Sequence, residues 1–104
     1  MTESVTCCTP LACWAGERGT YFHIVIGGDA AEAITMAERL RRLEFGARRG
    51  FGSVKVRARI GETRWKTSVF PSKTGAWWLL VSKKVMRLED LELGRDLTVE
   101  LEIL

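Results

Sequence analysis

The alternation of apolar and polar residues predicts a chain built mostly of β-strands. In "SVKVRARIGETRWKTSVF", residues 53–70, the alternation occurs twice, once on each side of a Gly-Glu pair. A period of two residues sends neighbouring side chains to opposite faces of a strand. The segment is therefore predicted to form a two-stranded hairpin with one face on the core and one outer, basic face.

The Gly-Glu pair also predicts the register of this hairpin. In a two-residue type II′ turn, Gly61 occupies the position that requires glycine. Three inward and two outward pairs of opposed residues follow: Val54–Val69, Val56–Thr67, Ala58–Trp65, Arg57–Lys66 and Arg59–Arg64. Directly opposed like charges destabilise a sheet by about 0.2–1 kcal/mol per pair. Another group should therefore offset the outward charges.

Further strands are predicted on both sides of the hairpin. "TYFHIVI" at 20–26 is rich in β-branched and aromatic residues, and "AWWLLVS" at 76–82 is apolar enough for a central strand. The first segment, "VTCCTPLACWAG", contains Pro10 and is predicted to be an edge or bulged strand. In the closing strand, "LTVELEIL", four residues are predicted to point inward: Leu97, Val99, Leu101 and Ile103.

Two helices are predicted from a change of period and from capping residues. The longer covers about residues 29–44, with Asp29 as N-cap and Glu32 completing a capping box. Its apolar stripe is predicted to contain Ala33, Ile34, Ala37 and Leu40. The shorter helix lies in "KKVMRLEDL" and is capped by Ser82. "ARRGFG", residues 47–52, is predicted to be a loop.

These elements predict one fold class. It is mainly β, with one α-helix and a short second helix, and forms a small closed or partly open β-barrel of about five to seven strands. The 104 residues suffice for a single domain, 1–104, with the helix at about 29–44 as an insertion. A barrel also protects the exposed strand edges of so short a chain.

Composition predicts the location of the protein and the redox state of its cysteines. No apolar run approaches the roughly 20 residues of a membrane helix, and the N-terminus lacks a secretory signal, so we expect no membrane association and a cytoplasmic location. The odd number of cysteines, Cys7, Cys8 and Cys13, favours reduced thiols over a disulfide framework.

The charges are distributed unevenly along the chain. Residues 39–66 contain ten lysines and arginines against Glu44 and Glu62, whereas residues 89–104 are strongly acidic. The basic and acidic parts either neutralise one another or the basic part faces an anionic partner.

Two basic clusters are candidate anion or ligand sites. The first is the outer face of the hairpin, with Lys55, Arg57, Arg59, Arg64 and Lys66. It either binds an anion or nucleic acid, or it pairs internally with Glu100 and Glu102 of the last strand. The second is the start of the short helix, where Lys83 and Lys84 either hold a phosphate or carboxylate or point into solvent.

Adjacent tryptophans form a third candidate surface. Trp77 and Trp78 cannot both face one core, because neighbouring residues of a strand point to opposite sides. One of them is therefore a candidate contact residue that is exposed or closes the barrel mouth.

Metal binding and catalysis find little support in the sequence. The spacing of Cys7, Cys8, Cys13 and His23 is not a usual zinc-ligand spacing, so no metal or cofactor is expected. His23, the single histidine, is predicted to be half-exposed on a strand rather than a general base. Because phosphate-binding loops, dinucleotide fingerprints and nucleophile elbows are also absent from the sequence, we expect the protein not to be an enzyme.

Residues 50–104 resemble domain-of-unknown-function family 1905. The shared motifs are the strand "VRARIG", "WKTSVFP" at 65–71, "LLVSK" at 79–83 and the final "VELE" at 99–102. "CWAGERGTYFHIVI" and the following helix also match the family's layout, so the resemblance covers nearly the whole chain. Two positions depart from the pattern: Leu80 replaces a frequent proline, and Arg95 separates Gly94 from Asp96. The resemblance implies a small closed bacterial β-barrel with a helix, sometimes joined to a YdeI/OmpD-associated domain, with no established activity.

Two functional hypotheses follow. The first is a non-catalytic binding or interaction module for a small anionic ligand or a protein. The alternative is a nucleic-acid-binding regulator that uses the basic face, because residues 81–101 are also similar to the strand–helix–strand unit of AbrB-type DNA-binding proteins.

Overall fold

A computed structural model describes residues 3–45 and 52–104. The predicted loop at 47–52 therefore lies almost wholly outside the described residues. Seven strands and two helices follow one another along the chain: β1 (Glu3–Pro10), β2 (Ala12–Gly16), β3 (Gly19–Ile26), α1 (Gly28–Phe45), β4 (Val54–Ile60), β5 (Thr63–Pro71), β6 (Trp77–Val81), α2 (Lys83–Leu88) and β7 (Asp96–Ile103).

The strands form one antiparallel sheet in the order β1-β7-β4-β5-β6-β3-β2, curved into a half-barrel. Its two edge strands, β1 and β2, are consecutive in sequence and are separated only by Leu11. Leu11 is buried and bonded through its backbone to both Gly94 and Arg95. The Thr9 hydroxyl of β1 also donates to the Val25 carbonyl of β3, at 3.4 Å. The two edges of the sheet are thus brought close together, and the predicted mainly-β, barrel-like fold is confirmed.

The segment that contains Pro10, predicted as one edge or bulged strand, forms two edge strands, and Pro10 is the last residue of β1. The hairpin register is also confirmed, with all five predicted pairs of β4 and β5 found opposite one another. Gly61 has a φ of +59°, the left-handed conformation that glycine adopts without a steric penalty. The local sequence signals of this hairpin therefore agree with its tertiary structure.

The core fills the concave side of the sheet. Alternate residues of the central strands are buried there, including Val54, Val56, Ala58, Ile60, Ile24, Ile26, Leu79, Val81, Val99, Leu101 and Ile103. In β7 the predicted inward set is confirmed, with Leu97 packed at the margin of the core. Fully burying one such aliphatic side chain stabilises the fold by about 1.5–3 kcal/mol. This burial fixes which face of each strand looks outward.

The first half of α1 packs against the core. Ala30, Ala31 and Ile34 are buried, whereas Leu40 is 55% exposed, so its predicted place in the buried stripe is wrong. The helix continues beyond the core that its first turns cover. The predicted N-cap is also wrong, because α1 begins at Gly28 and Asp29 lies within the first turn. Its carboxylate still interacts favourably with the helix dipole there.

The short helix α2 begins as predicted. The Ser82 hydroxyl accepts a hydrogen bond from the Val85 amide at 3.3 Å, and Val85 is buried. After the helix, the Glu89 carboxylate accepts a hydrogen bond from the Thr63 hydroxyl at 2.6 Å, beside the β4–β5 turn. None of the helices in the described part of the chain has the length and apolarity required to cross a bilayer.

We expect Gly61→Ala to destabilise the protein more than Gly75→Ala. Both glycines have positive φ, where an L-residue costs about 1–2 kcal/mol. A Cβ at Gly61 would additionally collide with the Glu89 carboxylate, whereas no described residue lies within 4 Å of a Cβ at Gly75. Displacing Glu89 would break its bond to Thr63, which adds about 1.5–3 kcal/mol. Urea unfolding of both variants measures the difference, and equal losses would contradict this account of the turn.

Candidate functional site

The basic face of the hairpin is partly neutralised by β7. This strand lies beside β4, with Arg57 opposite Glu102 and Arg59 opposite Glu100. The guanidinium-to-carboxylate distances are 3.0 Å for the first pair and 2.6 Å for the second. Internal pairing, one of the two alternatives for this face, is therefore confirmed for these two arginines. The glutamates offset the repulsion between opposed cations that the hairpin register creates.

Three cations of this face remain without an ion pair among the described residues: Lys55, Arg64 and Lys66. All three are exposed on β4 and β5. Arg57, Arg59, Glu100 and Glu102 form a ladder of ion pairs across the two strands. All four line a shallow depression of about 390 Å³ beside Arg64. Its walls carry both signs of charge, which makes it a poor receptor for an anion.

The second basic candidate, at the start of α2, also has little to offer an anion. Lys83 and Lys84 are exposed at the start of α2, as expected, but the amide of Val85 is already bonded to Ser82. A six-residue helix has a small dipole and few amides to offer a ligand. Lys83 instead borders a cleft of about 380 Å³ near Trp65.

Trp77 and Trp78 separate as the alternation requires. Trp77 is 4% exposed, and its indole N–H donates to the Thr35 hydroxyl at 2.9 Å. It joins α1 to the core and is not available to a partner. Trp78 points to the convex side of the sheet, where it borders a wide depression.

This depression is an open groove of about 1170 Å³, which the sequence analysis did not predict beyond Trp78. We call it the aromatic groove. It runs across the outward faces of β2, β3, β6 and the end of β5, and its walls carry Trp14, Tyr21, His23, Phe70, Trp78 and Leu80. The exposed Arg18 and Lys73 stand at its margin with Glu17, which gives this margin a net charge of +1.

Strand register explains why these side chains meet. Trp14 lies opposite Tyr21, His23 opposite Leu80, and Phe70 opposite Trp78. Cross-strand neighbours on one face have Cβ atoms about 4.5–5.5 Å apart. The Trp14 and Tyr21 rings stack with centroids 5.6 Å apart.

The walls of the groove are exposed, unlike ordinary core aromatics. Trp14 is 54% exposed, and Tyr21, Phe70 and Leu80 each retain about 40% of their surface. The Trp14 ring lies over Gly16, where an added Cβ would come within 3.0 Å of it. A contiguous apolar patch of this kind usually marks an interaction or ligand site.

His23 is the buried polar residue of the groove. The sequence analysis predicted a half-exposed histidine, and this is wrong: His23 is 6% exposed. Trp78 covers one face of its ring, with the two centroids 4.3 Å apart and the planes 14° from parallel. Its Nδ1 is shielded from solvent and has no hydrogen-bond partner within residues 3–45 and 52–104. Burial lowers the pKa of His23, because the charged imidazolium loses hydration.

The cysteines are free thiols. Cys7 is half-buried against the core, whereas its neighbour Cys8 and the more distant Cys13 are exposed. Burial, with a smaller contribution from Cys8, raises the pKa of the Cys7 thiol. Within residues 3–45 and 52–104, no three histidine, cysteine or acidic side chains cluster closely enough to hold a metal ion.

We expect the stability of the protein to decrease as the pH falls below about 6.5, the ordinary pKa of histidine. His23 has a lowered pKa in the folded state, so the unfolded chain binds more protons in this range. Because the chain has one histidine, His23→Phe should flatten the profile between pH 7.5 and 5.5. Unfolding free energies from urea titrations at each pH measure the slope. An equally steep slope in His23→Phe would contradict the burial of the imidazole.

Two comparisons with known proteins complete the description. A search of curated proteins found no match to this chain. The profile of the family described as "Domain of unknown function (DUF1905)" matches residues 9–101, which is nearly the whole chain and includes β2 to β6, both helices and most of β7. The seven-stranded, two-helix domain with its aromatic groove therefore belongs to the DUF1905 family.

Proposed function

We propose that this domain is a non-catalytic binding module whose aromatic groove holds a small ligand with a flat apolar body and an anionic group. One observation carries the proposal: aromatic side chains from four strands, those of β2, β3 and β5 exposed and Trp78 of β6 half-buried, converge on one groove on the convex side of the sheet. The two basic clusters predicted from the sequence do not provide a comparable cavity.

The walls of the groove favour a flat, apolar body. Aromatic rings bind one another in stacked or edge-to-face geometry, worth about 0.5–1.5 kcal/mol per pair beyond the burial of area. Trp14, Tyr21 and Phe70 are exposed enough for a ligand to cover them. The volume of the groove, about 1170 Å³, slightly exceeds the roughly 300–1,000 Å³ of most small-molecule sites, so a small ligand fits within it.

The margin of the groove favours a negative charge on that ligand. Arg18 and Lys73 are exposed there, and neither has an ion-pair partner among the residues that the structure describes. A single acid, Glu17, lies with them. Oppositely charged margins guide ligands and orient them, although exposed charges add little affinity.

The absence of catalysis is part of this proposal. His23, the one histidine of the chain, stacks on Trp78, and no hydroxyl, thiol or carboxylate in the described residues is bonded to it. A histidine acting as general base needs such a partner or a substrate proton within hydrogen-bond reach.

The free thiols of the three cysteines support a cytoplasmic location.

The nucleic-acid alternative retains support from one observation. Lys55, Arg64 and Lys66 are exposed, without ion pairs among the described residues, on the hairpin. Binding through them should weaken steeply with salt, because phosphate contacts release counterions. The two glutamates of the neighbouring ladder repel phosphates and make this alternative the weaker one.

A fluorescence titration with 8-anilinonaphthalene-1-sulfonate tests the proposal. This probe combines a flat apolar body with an anionic group. We expect Trp14→Ala and Phe70→Ala each to weaken binding about 5–10-fold, through the loss of about 1–1.4 kcal/mol of ring contact. Arg18→Gln combined with Lys73→Gln should weaken binding less, and mainly at low salt.

Leu43→Ala is the matched control, because Leu43 is an 82% exposed apolar residue of α1 that does not line the groove. It should bind the probe as the parent protein does. Equal affinities for all variants would contradict the proposal. A DNA oligonucleotide whose binding is lost in Arg64→Ala, but not in Trp14→Ala, would support the nucleic-acid alternative instead.

A further inference from the structure

The buried imidazole of His23 offers the groove one directed polar group. His23 lines the aromatic groove although its side chain is 6% exposed. Trp78 covers one face of the ring, and Nδ1 is shielded from solvent without a partner among the described residues. Nε2 is not shielded in this way, and no described residue bonds to it, so the imidazole meets the groove through the edge that carries Nε2.

The shielded Nδ1 determines the tautomer of the ring. A neutral imidazole has one N–H donor and one lone-pair acceptor. Buried N–H groups without a partner are rare in folded proteins, and buried acceptors without a full set of partners are somewhat less rare. The buried Nδ1 therefore favours the tautomer with the lone pair on Nδ1 and the proton on Nε2. Burial lowers the pKa of His23 and keeps the ring neutral at physiological pH.

We propose that His23 is the polar anchor of the aromatic groove and donates a hydrogen bond from Nε2–H to the carboxylate of a flat aromatic ligand. This inference rests on the proposed function and deepens it by naming the ligand class, an aromatic carboxylate. The reason is geometric: the groove places one directed donor among ring-shaped walls, and Arg18 and Lys73 supply only exposed charge.

A carboxylate matches this arrangement better than a phosphate does. A planar carboxylate can lie in the plane of the ring that carries it, so it can enter the groove without separating the aromatic walls. It accepts one strong, charge-assisted hydrogen bond from a single donor. A phosphate presents three acceptor oxygens in a tetrahedron and is usually held by several donors.

The first test is independent of binding. Because the chain has one histidine, a long-range ¹H–¹⁵N correlation spectrum of the uniformly labelled protein shows one imidazole. At pH 7.5 we expect a protonated Nε2 and an unprotonated Nδ1. Addition of 2-naphthoate should shift the Nε2 resonance. The opposite tautomer in the unliganded protein would overturn the inference.

The second test compares two probes that share one aromatic body. The probes are 2-naphthoate and 2-methylnaphthalene, and the measured quantity is the ratio of their dissociation constants. In His23→Phe the ring and its stacking on Trp78 remain, but the donor is lost. We expect the preference for 2-naphthoate to fall about 10-fold or more, since a hydrogen bond to a charged group contributes roughly this much.

His23→Gln is the complementary variant, because its amide nitrogen reaches about as far from the backbone as Nε2 does. It should restore part of the preference, which a merely structural role of the ring would not explain. An unchanged preference in His23→Phe would overturn the anchor while leaving the groove intact. Failure of both probes to bind the parent protein would overturn the groove proposal and the anchor together.

Discussion

Burial of every second side chain in the central strands is the constraint on which this domain depends. In β6, Trp77, Leu79 and Val81 are buried, whereas Trp78 and Leu80 face the groove. A slip of one residue in pairing would exchange the two sets. Each buried aliphatic side chain contributes about 1.5–3 kcal/mol, so the core resists such a slip. The groove is thus held in place by residues that no ligand touches.

The two outward surfaces of the sheet have different roles in this account. Around β4 and β7, arginines and glutamates form a ladder that offsets charge repulsion within the sheet. Around β3 and β6, aromatic side chains remain exposed, and Nδ1 of His23 is buried without a hydrogen-bond partner among the described residues. On the first surface two arginines are paired with glutamates and the other cations are exposed to water, whereas the second surface leaves apolar area uncovered and a buried polar atom unpaired within the described part of the chain. That contrast favours the aromatic groove over the basic face as the binding site.

How much of the structure the sequence predicts depends on how far apart along the chain the interacting residues lie. The hairpin register is encoded locally, by a glycine turn and a two-residue alternation, and all its predicted pairs are found. The helix cap at Asp29 was wrong by two residues, because Gly27 precedes the first residue of α1, and Leu40 was placed in a stripe that the core does not reach. Both errors concern where a helix meets the sheet, which the helical period alone does not specify.

The aromatic groove could not be predicted from local sequence patterns alone. Phe70 and Trp78 lie on the consecutive strands β5 and β6, but Trp14 of β2 is far from them in sequence, and only the strand order brings it to the same groove. The burial of His23 likewise depends on the ring of Trp78. One signal was available in the sequence: Trp14, Tyr21 and Trp78 occupy outward positions of predicted strands, where large aromatics are unusual. The clustered arginines of residues 39–66 favoured the basic face instead.

The most direct test of the account is a nuclear Overhauser spectrum of the aromatic protons of the full chain. It asks which tryptophan faces which side of the sheet. We expect cross-peaks between the His23 and Trp78 rings, and between the Trp77 indole N–H and the side chain of Thr35. Cross-peaks joining Trp77 to His23, or Trp78 to the core residue Ile34, would show that the outward face was assigned to the wrong residues.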